Sequence, residues 1–224
     1  MKSADHSLAS GGQEELMVWS THDLLRISGM ADVASVGAEQ FPLWVKVSLG
    51  IAPFVVVRRA NPIGGMIPIG IRGSSRNQRL AAYLRVESVL RRVTPEQLTE
   101  SDRSRGNARR ESIPALKTWA EIQVKLSNFS LAYGPTGSVG FELASGLPTA
   151  TATSDLDLLI RAPERPSMES AREFMAIFSN SACRVDAQLE TPRGAVSMAE
   201  YAGGQRPVLL RQNGGPVLVD DPWA

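Results

Sequence analysis

Thr153-Ser154-Asp155-Leu156-Asp157-Leu158-Leu159-Ile160 is the stretch on which the fold turns. In a β-strand, side chains at i and i+2 point to one face, so Asp155 and Asp157 share a face while Leu156 and Leu158 pack on the other. Their Cα atoms then lie roughly 6.5–7 Å apart, close enough for both carboxylates to reach one or two hard cations. Without a cation the two like charges repel, which is a physical reason to expect metal there. A strand edge decorated with solvated acids fits the same residues, so the neighbouring sequence has to decide.

Upstream lies Gly134-Pro135-Thr136-Gly137-Ser138-Val139-Gly140. A Gly-rich turn that opens a helix points backbone N–H groups from the positive end of the helix dipole, which favours phosphate. The Ser138 hydroxyl either adds a donor to that phosphate site or caps the helix. No lysine follows, so this is not a Walker loop. Downstream, Val185, Ala187 and Leu189 alternate with Asp186, Gln188 and Glu190. A neighbouring strand in this phase adds Asp186 to the carboxylate face, while Gln188 and Glu190 read as solvent-facing.

The order is Gly-Ser turn, helix, D-x-D strand, helix, then a strand with a third acid. It resembles the nucleotidyltransferase superfamily of the DNA polymerase β type. That resemblance implies triphosphate binding by Gly137 and Ser138, and Mg²⁺ (or Mn²⁺) on Asp155 and Asp157. It also implies help for the attacking hydroxyl from Asp186, as base or as a further metal ligand. Sixteen residues separate Ser138 from Asp155, longer than the usual gap, and a turn around Gly146-Leu147-Pro148 accounts for the excess.

A closer resemblance covers all but the N-terminal tail. Residues 134–144 and 154–161, Val185 to Ala195, and the terminal Asp221-Pro222-Trp223 are similar to the malonate decarboxylase holo-acyl-carrier-protein synthases, or phosphoribosyl-dephospho-CoA transferases. His22 to Arg26, Ile67 to Gly73 and Gln78-Arg79 match their N-terminal region. The reaction this implies takes 2′-(5″-triphosphoribosyl)-3′-dephospho-CoA as donor. Its acceptor is a serine of the acyl-carrier subunit of malonate decarboxylase, and pyrophosphate is released. The alternative is transfer of a nucleoside monophosphate to another protein or small-molecule hydroxyl.

Working outward, the second half reads as helices alternating with strands. Ser112 caps a helix bearing Leu116, Trp119 and Leu126, a short strand spans Leu131 to Tyr133, and Ser167 caps a helix with Ala171 and Phe174 inward. Val208 to Leu210 and Val217 to Val219 flank Asn213-Gly214-Gly215, a hairpin signal. In the first half, Leu43 to Val47, Phe54 to Val57 and Met66 to Ile71 read as short strands, and Asn77 to Val93 as a helix. Thr94-Pro95-Glu96-Gln97 looks like a helix start. The expected architecture is α+β: a flexible tail (1–12), a small β-rich N-terminal domain with a basic surface (13–93) and a linker (94–112). A polymerase-β-like nucleotidyltransferase domain (113–224), with a mixed sheet and flanking helices, completes it.

Composition narrows the classes. Hydrophobic residues make up 43% of 224, enough for an ordinary core, and the formal charge is +1. The charge is not evenly spread: Arg58 to Arg110 holds twelve arginines, no lysine and four acids, an excess of eight positive charges. Its guanidinium groups either coat a solvated surface or meet phosphate, with Arg72, Arg76 and Arg79 the candidates. Near-zero net charge and few aromatics in that stretch disfavour nucleic acid as a partner. One cysteine, Cys183, and two distant histidines, His6 and His22, leave no disulfide, zinc site or Ser-His-Asp triad. No apolar run approaches the ~18 residues of a membrane span, so a cytoplasmic protein is expected.

Overall fold

The computed structural model describes residues 19–36, 40–75, 77–100 and 109–224. Two six-stranded sheets with helices packed against them make an α+β chain. The tail expected at 1–12, and residues 101–108 of the expected linker, lie outside the described residues, as does Arg76. No helix is long and apolar enough to cross a membrane, among the described residues.

The first sheet contains β1 (Leu24–Ile27), β2 (Val33–Ser35), β3 (Phe54–Val57), β4 (Ile67–Arg72), β5 (Arg79–Leu84) and β6 (Val89–Val93). All its pairings are antiparallel, in the order β2-β5-β4-β3-β1-β6. Alternation gives it two distinct faces. Leu25, Val55, Val57, Ile67, Ile69 and Ile71 build a core under α1 (Leu43–Ile51). From the opposite face, Leu24 and Val93 join the core of the second half, with Phe54 and Val56 packed against it, so the two halves share buried apolar surface.

Two readings of this half are corrected. Leu43 to Val47 is the start of a helix, not a strand. Pro42 sets its entry, and Val45 and Leu49 are buried one turn apart on the sheet-facing side. Nine apolar-rich residues carry too little periodicity to separate the two states. Asn77 to Val93, expected as a helix, forms β5, a 3₁₀ turn at Val86–Ser88, and β6. Long-range pairing overrides its helical spacing: β5 lies between β2 and β4, in register with β4 over six residue pairs, and β6 pairs with β1.

Thr94 and Gln97 exchange bonds as a capping box, the Gln97 side chain accepting from the Thr94 N–H (3.0 Å) and the Thr94 hydroxyl from the Gln97 N–H (3.4 Å). They open α2 (Gln97–Glu100), and α3 (Arg109–Ser112) leads into α4 (Pro114–Leu126). Ser112 does not cap α4. Ile113 stands at the cap and Pro114 starts the helix, where its missing N–H costs nothing. The short strand is likewise displaced, from 131–133 to β7 (Tyr133–Pro135).

The second sheet continues with α5 (Gly137–Ser145), β8 (Leu156–Arg161), α6 (Met168–Ala176), β9 (Val185–Thr191), β10 (Gly194–Ser197), α7 (Met198–Ala202), β11 (Val208–Gln212) and β12 (Gly215–Val219). Its order is β12-β11-β10-β9-β8-β7, and only β8 and β9 run parallel, joined by the α6 crossover. Ser167 caps α6 by accepting the Ser170 N–H at 3.0 Å, as its sequence suggests. Asn213-Gly214 forms the tight turn of the β11–β12 hairpin.

Candidate active site

Strand phase puts the acids together. Leu156 and Leu158 are buried in the core, which turns Asp157 the other way, and Asp155 precedes the strand by one residue. Asp157 and Asp186 are direct partners across the parallel β8–β9 pair, so the third acid joins the same face. Burial, then Asp186, then Asp155 push the Asp157 carboxyl above its ordinary range, against a smaller pull from Arg79 and Arg184. A carboxyl raised by burial and by two acidic neighbours is costly to ionise unless a cation or a cationic partner offsets it.

The Gly-Ser turn meets this face from the side. Thr136 donates its N–H to the Asp157 carbonyl at 2.8 Å, and Gly137 then adopts φ +59° to begin α5. A Cβ on Gly137 would lie 1.8 Å from Asp157 Oδ2. The helix N-terminus is thus pressed against the carboxylate, which no side chain at 137 would permit. Ser138 is the second residue of α5 and not its cap; that position belongs to Thr136, whose side chain makes no capping bond. Farther along α5, Glu142 accepts from Arg109 Nε (2.9 Å) and from the N–H groups of Thr149 (2.8 Å) and Ala150 (2.9 Å). Burial opposes ionisation of Glu142, but these bonds outweigh it and hold the carboxyl below its usual range. The turn at 146–150 is thereby tied down on the way to Asp155.

Ser138→Ala separates donor binding from folding. If the hydroxyl meets phosphate, KM for the donor should rise about ten-fold or more, the loss of a bond to a charged group being worth about 1.5–3 kcal/mol. The melting temperature should hardly change, since no cap is removed. Unchanged donor kinetics would discharge Ser138 from the site.

The outer face of the first sheet closes over these groups, leaving a cleft of about 830 Å³. Gly137 and Asp157 line it, as do Arg72 and Arg79; Ser138, Asp155 and Asp186 lie outside the lining. Arg72 and Arg79 are direct partners across β4 and β5. Arg72 sits over the Phe141 ring at 5.3 Å. Burial and then Arg79 lower its pKa, while Asp157 raises it. Neither arginine forms an ion pair among the described residues.

Several site residues escaped the sequence reading. Glu190 is not solvent-facing. It accepts two bonds from Arg59, 131 residues away, at 2.8 and 2.5 Å, and so fastens the two halves together. Gln188 lines the cleft. Arg161 adds a second fastening, 2.7 Å from Glu96 and 3.9 Å from the buried Asp23, which Arg92 also holds at 2.7 Å. His22, at the cleft wall, has φ 74°, a left-handed backbone uncommon for a non-glycine residue. No sequence signal marks these pairings; His22 and Asp23 stand out only as part of a matched motif.

Burial lowers the His22 pKa from 6.5 to about 4, assisted by Arg59 and Arg161 and opposed by Glu190. The folded chain therefore takes up this proton less readily than the unfolded chain. Its contribution is intact above the ordinary value and is lost as pH falls from 6.5 through about 4, by up to about 3 kcal/mol. Urea unfolding of wild type and His22→Asn over that window checks it: the variant should lose less stability, and parallel curves would contradict the assignment.

Residues 20–95 match the family profile described as phosphoribosyl-dephospho-CoA transferase MdcG N-terminal domain, and residues 103–222 match its C-terminal counterpart. The phosphoribosyl-dephospho-CoA transferase of Pseudomonas putida (strain GB-1) is 41% identical over 203 residues, 91% of this chain and 94% of that protein. The protein of the same description from Pseudomonas fluorescens (strain Pf0-1) is 41% identical over 182 residues, 81% and 85% of the two chains. That of Azotobacter vinelandii (strain DJ / ATCC BAA-1303) is 40% identical over 187 residues, also 81% and 85%. No solved structure matches.

Proposed function

The chain belongs to the phosphoribosyl-dephospho-CoA transferase family, and from that premise we propose that it transfers the prosthetic group from 2′-(5″-triphosphoribosyl)-3′-dephospho-CoA to a serine of the apo acyl-carrier subunit of malonate decarboxylase. The observation that carries this reading is Asp157, in register with Asp186 and beside the α5 N-terminus, lining one cleft with Arg72 and Arg79, which have no carboxylate partner among the described residues.

In this reading the donor's triphosphate lies between the N–H groups at Gly137 and Ser138 and the guanidinium groups of Arg72 and Arg79. The serine Oγ attacks the α-phosphorus while the bond to the β-phosphate oxygen breaks. Asp186, half-exposed next to Asp157, takes the serine proton, and pyrophosphate leaves against the arginines. Positioning and charge supply most of the acceleration.

Asp155 and Asp157 would hold Mg²⁺ or Mn²⁺. The donor set is all oxygen, which suits a hard cation, and burial and then its acidic neighbours raise the carboxyl of Asp157. Among the described residues no three His, Cys, Asp or Glu side chains form a complete metal cage. Magnesium commonly takes one or two carboxylates and completes its shell with substrate phosphate and water, so two acids suffice. When bound, the ion would offset charge on the triphosphate.

Intact-mass spectrometry of the purified apo carrier subunit tests the proposal. With donor, chain and Mg²⁺, the carrier should gain one phosphoribosyl-dephospho-CoA unit and release one equivalent of pyrophosphate. EDTA should stop the reaction and excess Mg²⁺ restore it. A mass gain from a nucleoside triphosphate in place of the donor, or undiminished transfer in EDTA, would overturn the donor and the metal assignments respectively.

A further inference from the structure

The donor in the proposed reaction carries two anionic groups, the triphosphate on one pentose and the 5′-diphosphate of the dephospho-CoA half on the next. The cleft also has two ends. At one, Asp157 and the α5 N-terminus face Arg72 and Arg79. At the other, strand registers align Arg161, Glu190, Ala195, Arg211 and Pro216 in one row across β8 to β12. Asp157 and Arg161 share a face, being four residues apart, so this row lies about 13 Å along the strands from the carboxylates. Within it Arg211 stands three strands from β8, about 14 Å sideways.

The first sheet reaches that row through Arg59 and adds a further arginine, Arg58, to the cleft. Arg59 is bonded to Glu190 through both its terminal nitrogens, which pins the segment after β3 against the second sheet. Arg58 is the adjacent residue, held by its N–H on the Pro68 carbonyl, with its aliphatic stem along Gly70. Arg58 and Arg211 both line the cleft, together with Gln212 and Asn213 of the hairpin. Like Arg72 and Arg79, neither forms an ion pair with a described carboxylate, whereas Arg59 and Arg161 do. The cleft therefore presents guanidinium groups with no carboxylate partner among the described residues both beside Asp157, from Arg72 and Arg79, and on the hairpin strand, from Arg211, with Arg58 on the first sheet between Pro68 and Gly70.

We propose that Arg58 and Arg211 form a second phosphate subsite at the hairpin end, which takes the diphosphate of the dephospho-CoA half while Arg72 and Arg79 take the triphosphate. This rests on the donor assigned above. It makes the first sheet and the hairpin a ruler: a nucleoside triphosphate fills one end only, and the full donor fills both.

Binding of two fragments to the full chain tests it. Dephospho-CoA carries the diphosphate without the triphosphate, and inorganic triphosphate is the reverse. Arg58→Gln and Arg211→Gln should each raise the dissociation constant of dephospho-CoA about ten-fold or more, as for loss of a charge-assisted bond, and leave that of inorganic triphosphate within about two-fold. Arg72→Gln should do the opposite. Arg211→Lys, which keeps charge but loses the fork, serves as a mild second variant and should fall between. Melting curves confirm that each variant is folded. Unchanged dephospho-CoA binding in folded Arg58→Gln and Arg211→Gln overturns the subsite alone, as does a rise confined to KM for the carrier protein. If the wild-type chain binds no dephospho-CoA, the donor assignment falls and the subsite with it.

Discussion

Asp157→Asn should abolish transfer and leave the fold standing, or slightly steadier. The carboxylate sits next to Asp186 and Asp155 on the outward face of β8, so its removal opens no core cavity. Its pKa is raised in the folded chain, first by burial and then by its acidic neighbours. A raised carboxyl favours the folded state at low pH and opposes it above the folded pKa, so at neutral pH the ionised group works against folding. The neutral, isosteric amide removes that opposition. The melting temperature at pH 7.5 should equal or exceed that of wild type, and the gap should close as pH falls. In the proposed reaction the same change deletes an oxygen that would hold the metal and a charge near the reacting phosphate, where a single electrostatic group commonly carries about 10²–10³-fold in rate. Asp155→Ala should lose transfer in the same way. Turnover within a few-fold of wild type in either variant would remove these carboxylates from the reaction.

Gly137→Ala should damage activity and stability together, and through a contact that can be isolated. A methyl group at 137 is placed 1.8 Å from Asp157 Oδ2, and the backbone there has φ +59°. The left-handed backbone alone costs an alanine about 1–2 kcal/mol, and relief of the contact must push the helix start away from the acids. A loss of at least about 100-fold in kcat/KM is expected, since a displacement near 1 Å can cost that much. The Gly137→Ala/Asp157→Ala double variant separates the two sources of instability. Truncating the carboxylate removes the clash but not the φ penalty, so the double variant should be less destabilised than the two single changes add up to. Strict additivity would mean that helix and carboxylate do not touch.

What the sequence disclosed was local. Leu156-Asp157-Leu158 could be placed because alternation assigns faces without knowledge of any partner, and the phase of Val185 to Glu190 then brought Asp186 into line with Asp157. The Thr94–Gln97 box, the Ser167 cap and the Asn213-Gly214 turn are equally short-range. Misreadings fell where distant partners decide. Residues 79–93 have helix-like spacing but are held as strands by β4, β2 and β1. Glu190 has the phase of a solvated residue until Arg59 arrives from 131 residues upstream. The left-handed backbone at His22 follows from no residue type, since histidine gives no glycine-like warning.

The way the cleft is assembled has a consequence for inheritance. The acids come from β8, its approach and β9, while Arg58, Arg72 and Arg79 come from the first sheet. The acids thus stand in one half of the chain and three of the cleft's arginines in the other, joined by the Arg59–Glu190 and Arg161–Glu96 clasps. A lineage can retune the molecule it accepts by exchanging residues on the first sheet, with the acids left in register. A hybrid that joins the first half of one relative to the second half of another, with the clasp residues kept, should take its chemistry from the latter and draw its donor preference from both, since Arg58, Arg72 and Arg79 come with one half and Gly137 and Arg211 with the other.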